Sequence, residues 1–522
     1  MSEKKINITP EELASLEVGK TIINPVLSKI LFYVFIAVIT LVPIIQNIFS
    51  DGSTFSVKTE KNSSLFNLNE ELITSFKDLE KDIEEKSLLQ QYFLPRVQTL
   101  LTSVFKVGNE KVWIDNDKLY FYDSNKYVFS SGFLDEQKIK QRVENEGVSA
   151  SPIAAIVDFS NQLKKQGIEL VLMPVPSKMS INNTKGKLIN NTSFSAFINK
   201  IKKENIVVLD LYNKLSVEDK YLNLDTHWTP KTMHKANFLL AKILDSLKVE
   251  KGNAEFVIHH TAVSNYGDIA NMLKVKKIGR LFDKQTVGIK QVLENNYPLK
   301  PNKNSDVLLL GDSFSNIYSI NNMEWGISAG LFENLSLSLN KTIDKITLNN
   351  NGAFATRQEL ANKLNRGENR LAGKKVIIWQ FAERELSLGN WKLIPLKYNP
   401  NFETSFLMLK QEDEIIVNAV VEDVAKIPMV GSVPYKDHIV SVHLKEVVSS
   451  LNNKKLGDAV VYLESMKNNV WTPAASLNVG TKITLKLSNW QRKINKFGSL
   501  NRSELDDEIL SLEEPLWGEL IK

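Results

Sequence analysis

The chain has 522 residues, enough for more than one core, and its 43% hydrophobic and 24% charged content is that of a folded protein rather than a disordered one. A net charge of +5 at this length, with Lys spread along the chain, leaves no basic stripe for nucleic acid. The lack of cysteine excludes disulfides, Cys–zinc sites and a thiol nucleophile, and it fits any compartment.

Residues 1–23 read as a polar stub. Ile30 to Ile45, ILFYVFIAVITLVPII, carries no charge, and counted through Phe49 the run reaches about 20 residues, the length that crosses a ~30 Å hydrocarbon core. No small-x-small cleavage pattern follows it, so residues 24–49 are predicted to be an uncleaved, single-pass transmembrane anchor rather than a signal peptide. Lys4, Lys5, Lys20 and Lys29 precede the span, and acidic neighbours weigh little in the positive-inside rule. That places the stub in the cytoplasm and the rest of the chain beyond the inner membrane, on the periplasmic or extracytoplasmic side. Residues 50–105 read as a polar linker and a helical spacer, with Pro95 as a break.

Residues 106–395 alternate helix and strand from about Ser151 onward. PIAAIVDFSNQLKKQG and SFSAFINKIKKEN read as helices, and IELVLMPVP and IVVLDLY as short apolar strands. A further helix opens at Thr229-Pro230, a capping residue followed by Pro at the first helical position. SDVLLL and KKVIIWQ are strands around the helix TRQELANKLNR, while the Asn/Lys-rich stretch 279–305 reads as surface loop. Continuous apolar strands between helices predict an α/β domain of three layers around a mainly parallel sheet. Residues 396–522 change texture: EIIVNAVVEDV, HIVSVHLKEVV, DAVVYLES and TKITLKLSNW are β-branched runs without helices between them, which predicts a β-rich small barrel or sandwich.

Two motifs carry chemistry. Gly311-Asp312-Ser313-Phe314-Ser315 follows the apolar strand Val307–Leu310, and a serine at the carboxyl end of a parallel strand stands where open α/β sheets place ligands. Read alone, the motif could equally be a plain turn with Asp or Ser capping a helix. The second is Leu224-Asp225-Thr226-His227-Trp228-Thr229-Pro230. A serine needs a base to take its proton, a histidine suits that task, and a carboxylate orients the histidine. His227 is one of only six histidines. His234 stands seven residues on without an H-x-x-x-H or Cys partner, so no metal site is expected. Neither a G-x-x-x-x-G-K-[ST] loop nor a strand–G-x-G-x-x-G is present, and no bound nucleotide cofactor is expected.

Taken together, these blocks resemble the alginate O-acetyltransferase family with its SGNH-hydrolase-like catalytic domain. VWIDNDKLYFY with SSGFLD, VPSKMSIN, LDTHWTP, YGDIANML, GDSFS, NGAFATRQEL and VIIWQFAERELS match in order over roughly residues 105–390, although Lys118 stands in a block where the family has Gly-Trp. The resemblance implies Ser313 as nucleophile, His227 as general base and Asp225 as its orienting carboxylate. It offers Arg357, Lys178, Tyr318 and Asp312 as substrate-binding candidates. The alternatives are a surface helix Arg, a solvated Lys, a core Tyr and a helix-capping Asp. Trp379 reads more readily as core than as a sugar platform, and Arg384 could be either.

What the resemblance implies for activity is transfer of acetyl groups onto hydroxyls of an exopolysaccharide through an acyl-serine. Acetyl would be relayed from cytoplasmic acetyl-CoA by a membrane-bound O-acyltransferase partner. A polysaccharide acetyl esterase needs the same three residues, and a non-catalytic polysaccharide-binding or assembly subunit is the reading from another class. In the C-terminal region, Trp471 and Tyr435 are the candidate sugar platforms, set against a purely structural or partner-docking role for that domain.

Overall fold

The computed structural model describes residues 25–49 and 88–521, apart from short stretches at 116–117, 182–188, 213, 216–219, 350–353, 402–404, 431–432, 434, 499, 506, 508–509 and 511–512. The chain divides into two compact units, Met1–Val97 and Gln98–Lys522. The first holds helix α1, Pro25–Phe49, whose described side chains such as Phe32, Tyr33 and Val34 are exposed. Among the described residues no helix is long and apolar enough to cross a membrane, and the side chains at 38, 39 and 42–49 within α1 are not among them. The stub, the linker and the charged start of the spacer lie outside the described residues. Helix α2, Leu88–Phe105, runs through Pro95 rather than breaking there; the ring forgoes one backbone hydrogen bond without ending the helix.

In the second unit, β1 (Val112–Asp115) and β2 (Lys118–Phe121) form a short hairpin that leads into α3 (Tyr122–Phe129) and α4 (Glu136–Glu146). The central sheet follows. Its strands β3 (Glu169–Val175), β4 (Val207–Val208), β8 (Val307–Gly311), β9 (Asp344–Thr347) and β10 (Val376–Ala382) are all parallel, in the order β4-β3-β10-β8-β9. The inner strands β3, β10 and β8 are apolar on both faces because both faces are covered, whereas the edge strand β9 reads Asp-Lys-Ile-Thr. Val171, Met173, Leu309 and Ile378 point to one core. Leu170, Leu172, Leu308 and Trp379 point to the other. The first core is roofed by α7 (Pro230–Ser246) and α10 (Leu331–Ser338), the second by α5 (Pro152–Lys164), α6 (Phe194–Lys203) and α11 (Ala355–Asn365). The predicted cap holds: the Thr229 hydroxyl accepts from the Thr232 N–H ahead of Pro230.

The stretch 279–305 is not all loop. β6 (Gln285–Glu294) pairs antiparallel with β5 (Val257–Asn265), with β7 (Tyr297–Pro298) on its other side. Most of β5 is exposed, so no apolar alternation marked this hairpin in the sequence.

The C-terminal region is a closed barrel. β11 (Glu414–Val424), β12 (His438–Ser449), β13 (Lys455–Lys467), β15 (Lys482–Asn489) and β17 (Leu516–Leu520) pair in a ring, 13-17-15-11-12 and back to 13, with β14 (Val470–Trp471) and β16 (Asn501–Ser503) as added edges. Val417, Val442, Val461, Leu485 and Leu487 fill its interior.

Candidate active site

Strand β8 ends at Gly311, and the chain turns into a single helical turn, α9 (Ser313–Asn316). The turn is fixed from below. Asp312 accepts the Phe314 N–H and the Gln380 amide on Oδ1, and the Ala382 N–H on Oδ2. Gln380 in turn accepts from the Asp312 N–H and the Ser315 hydroxyl. Ser313 therefore sits at the carboxyl edge of the sheet on a rigid base. A Cβ at Gly311 would lie 2.3 Å from the Ser315 hydroxyl, which is why the smallest residue precedes the turn.

The loop 224–228 brings the second motif to the same edge. Ser313 Oγ and His227 Nε2 are 2.8 Å apart, and His227 Nδ1 and Asp225 Oδ1 are 2.7 Å apart. Asp225 also accepts the His227 N–H on Oδ1, and the Asp268 N–H and Trp325 Nε1 on Oδ2. Burial alone would raise its pKa, but the hydrogen bonds and charge of His227, with Trp325, outweigh this and hold it at about 2. Burial works against charging His227, yet the Asp225 contact prevails and raises its pKa above the ordinary value. An imidazole whose cation is stabilised, with its other nitrogen at a serine hydroxyl, can accept that hydroxyl's proton.

Gly267-Asp268, at the start of the short helix α8 (Asp268–Met272), grips this loop from the other side. Asp268 accepts the Thr226 N–H at 2.7 Å while its own N–H donates to Asp225. Burial and the Asp225 charge raise the Asp268 pKa to about 6. Asp225, His227 and Asp268 bring ligand-type atoms within 4.8 Å of one another. With every oxygen of Asp225 already accepting two N–H groups, the set is that of an oriented base rather than a vacant metal cradle. The YGDIANML block contains Asp268, but nothing in its sequence showed that it faces Asp225.

The cleft over Ser313 is lined by Phe121, Asp268, Asn271, Met323, Asn349 and Arg384 of the α/β domain and by Tyr435, Lys436 and Asn501 of the barrel region. Lys436 Nζ bonds both carboxylate oxygens of Glu324, at 2.7 and 2.9 Å, across the cleft mouth. Asn349 is oriented by Asn316, whose amide donates to its Oδ1 at 2.8 Å.

Four expected substrate-binding residues do not face this cleft. Arg357 is fully buried on the far side of the sheet, 4.8 Å from the Trp379 ring, with Nη1 on the Lys392 carbonyl; α11 packs that face inward. Lys178 is buried beneath the loop, and its three donors go to the carbonyls of Leu119, Asn223 and Asp225. Burial lowers its pKa to about 7. Tyr318 is fully buried and its hydroxyl donates to the Trp228 carbonyl. Asp312 is the turn anchor described above. Trp379 is core. Arg384 and Tyr435 do line the cleft, whereas Trp471 bonds the Pro428 carbonyl and does not.

A three-layer parallel α/β fold with this serine–histidine–aspartate arrangement at its carboxyl edge defines an SGNH-hydrolase-like domain. Residues 133–383 match the family model described as SGNH hydrolase-like domain, acetyltransferase AlgX. Similar solved structures include the O-acetyltransferase domain of Pseudomonas putida AlgJ, at 20% identity over 53% of this chain and 93% of that one, with a TM-score of 0.41. Pseudomonas aeruginosa AlgX is 13% identical over 72% of this chain and 89% of that one, with a TM-score of 0.37. Bacillus cereus PatB1 with a sulfonyl adduct is 13% identical over 54% and 98%, with a TM-score of 0.36. No curated protein matches the chain.

Proposed function

We propose that the chain is an O-acetyltransferase that moves acetyl groups onto hydroxyls of an exopolysaccharide, with Ser313, His227 and Asp225 as its catalytic triad. The observation that carries this is the hydrogen-bonded line Ser313 Oγ–His227 Nε2 and His227 Nδ1–Asp225 Oδ1, at 2.8 and 2.7 Å. In the first step His227 takes the Ser313 proton as Oγ attacks the acetyl carbonyl. The tetrahedral adduct collapses, the donor's leaving group departs with the proton from His227, and acetyl-Ser313 remains. In the second step His227 takes the proton of a sugar hydroxyl, whose oxygen attacks the acetyl-serine. Collapse releases the acetylated sugar, and the proton returns to Ser313 Oγ. The Ser313 N–H and the Asn349 amide, which lines the same cleft, are the proposed donors to the oxyanion.

Acetyl-CoA is cytoplasmic, so an enzyme acting outside the cytoplasm needs acetyl relayed across the membrane, by a membrane-bound O-acyltransferase partner in this reading. The uncharged run Ile30–Ile45 and the 25-residue helix that contains it support an N-terminal anchor and a periplasmic or extracytoplasmic catalytic domain.

The test uses the full chain, purified with a membrane fraction that carbonate does not strip, and a chromogenic acetyl ester with and without oligosaccharide acceptors. Ser313→Ala and His227→Ala are each expected to lower ester cleavage by at least ~10⁴-fold. Wild type is expected to place acetyl on sugar. Cleavage lost in both variants without transfer to any acceptor would make the chain an esterase. Cleavage surviving both substitutions would refute the triad.

A further inference from the structure

The cleft at Ser313 encloses about 100 Å³. That suits an acetyl group and one attacking hydroxyl, but it is well below the roughly 300–1,000 Å³ of pockets that enclose whole ligands. A polymer delivered to this serine has to be held outside it. A second concavity, of about 580 Å³, lies between α3, α4 and the short helix α12 (Glu385–Leu388) that follows β10. The two are neighbours along two segments of chain. Phe121 lines the cleft and Tyr122 the groove; Arg384 lines the cleft and Ser387 the groove. The Arg384 guanidinium lies 5.8 Å from the Phe121 ring, between the two.

The groove's lining has two characters. Its buried part carries polar groups without partners: neither Nδ2 nor Oδ1 of Asn125, which is 5% exposed, is hydrogen-bonded among the described residues, nor is the Ser387 hydroxyl, which is 4% exposed. Buried polar groups are ordinarily satisfied, and orphaned ones point to something that binds there. Its outer part carries exposed aromatic rings, Tyr122 and Phe129, at 45% and 60% exposure. Amide and hydroxyl groups below with aromatic faces above fit one chemical class, a sugar ring with hydroxyls on its edge and an apolar C–H face. At the rim Lys138 and Arg142 stand four residues apart on α4, and burial together with that neighbour lowers the Lys138 pKa. Arg142 pairs with Glu146, whereas Lys138 donates to the uncharged Ser131 carbonyl, so the rim keeps a positive excess.

We propose that this groove is an oligosaccharide subsite, holding units of the acceptor chain beside the unit whose hydroxyl reaches Ser313. The proposal rests on the acetyl-transfer reading for what happens in the neighbouring cleft, but the binding itself needs no turnover.

Calorimetric titration of the full chain carrying Ser313→Ala therefore tests it, with short oligogalacturonate and cello-oligosaccharide as probes. At least one oligomer is expected to bind, and its monosaccharide about tenfold or more weaker. Phe129→Ala and Asn125→Leu are each expected to weaken oligomer binding about tenfold. Asn125→Leu replaces an unpaired buried amide by an apolar group of similar volume, so its Tm should not fall, which separates lost binding from lost fold. Tyr297→Ala, on the remote strand β7, should leave Kd unchanged. Absence of binding by both oligomers overturns the proposal, as does an unchanged Kd in both groove variants. Ester cleavage that survives Ser313→Ala would instead remove the transfer chemistry and leave the binding result standing, so the two failures are distinct.

Discussion

Asp225 accepts four N–H groups, two on each oxygen, from His227 N and Nδ1, Asp268 N and Trp325 Nε1. A carboxylate saturated this way has one orientation, and it gives His227 one tautomer and one position. The Asp225→Asn variant keeps the shape and loses the charge. It is expected to lower kcat by about 10⁴-fold, because an amide donates to Nδ1 where an acceptor is needed. The pH profile carries the sign. His227 must be neutral to act as base, and its pKa lies above the ordinary 6.5 because Asp225 overrides burial. Activity should therefore fall as pH drops through a value above 6.5 in the wild type. In Asp225→Asn burial is opposed only by the smaller effects of the Asp268 and Asp312 charges, and the acid limb of kcat/KM should move to lower pH. A limb that stays in place would mean that another group sets it, with Asp268 the first alternative. At this scale the sequence was informative where spacing restricted the options and silent where burial decided. Asp225 and His227 two residues apart, and one serine after an apolar strand, pointed to one cleft. Arg357 and Lys178 looked available because a charge in a string of letters has no visible surroundings. One is sealed against Trp379 and the other is spent on three carbonyls.

The elements that place these residues are strand ends and the loops after them, and one glycine shows how closely they meet. Gly267 has φ of 95°, and a Cβ there would lie 2.7 Å from both the Asp225 Cβ and the Leu224 carbonyl. Gly267→Ala should thus combine left-handed strain with a collision against the loop that carries Asp225. A loss of about 2–4 kcal/mol in denaturant unfolding is expected. Ester cleavage should fall by more than the folded fraction does, since the displaced atom is Asp225 itself. A variant with wild-type stability and rate would show that the loop is held elsewhere, with Lys178 the next support. Strands β3, β4, β8 and β10 were legible because each is a short apolar run between helices, as a sheet covered on both sides requires, whereas the edge strand β9, Asp-Lys-Ile-Thr, carries no apolar run and was not anticipated. The β5–β6 hairpin was not: β5 is exposed along most of its length, and the stretch before β8 is rich in Asn and Lys, so neither periodicity nor composition separated strand from loop. The barrel was legible as β, but its closure depends on β17 at the chain's end pairing with both β13 and β15, which no local pattern reveals.

At the scale of the second unit, the barrel is not an appendage beside the α/β domain, since Tyr435, Lys436 and Asn501 line the cleft of Ser313. Among the described residues two ion pairs join them, and they differ in kind. Lys436–Glu324 is partly exposed, and a pair in that setting contributes about 0–1 kcal/mol. Arg502–Glu359 is mostly buried: Arg502 on β16 reaches Glu359 on α11 at 3.5 Å, with Glu504 at 2.8 Å on its other side and the Tyr462 ring 5.2 Å away. Burial would raise the Glu359 pKa, but Lys363 and Arg502 hold it at about 2. Removing the guanidinium leaves that carboxylate with Lys363 and the weaker influence of Arg366, so Arg502→Ala should destabilise the contact by about 3 kcal/mol, as loss of one partner of a buried pair does. Because the folded pKa is depressed, the pair's contribution is present above the ordinary carboxylate range and fades as pH falls toward 2. The difference between wild type and variant should thus be full at neutral pH and shrink in acid. Calorimetry is the measurement. If the barrel is held as argued, wild type melts the two domains together and Arg502→Ala splits the transition, with the cleft wall lost before the parallel sheet. A single unsplit transition at the wild-type temperature would mean that the remaining interface docks the barrel without this pair, and the wall beside Ser313 would then owe its position to apolar contact rather than charge.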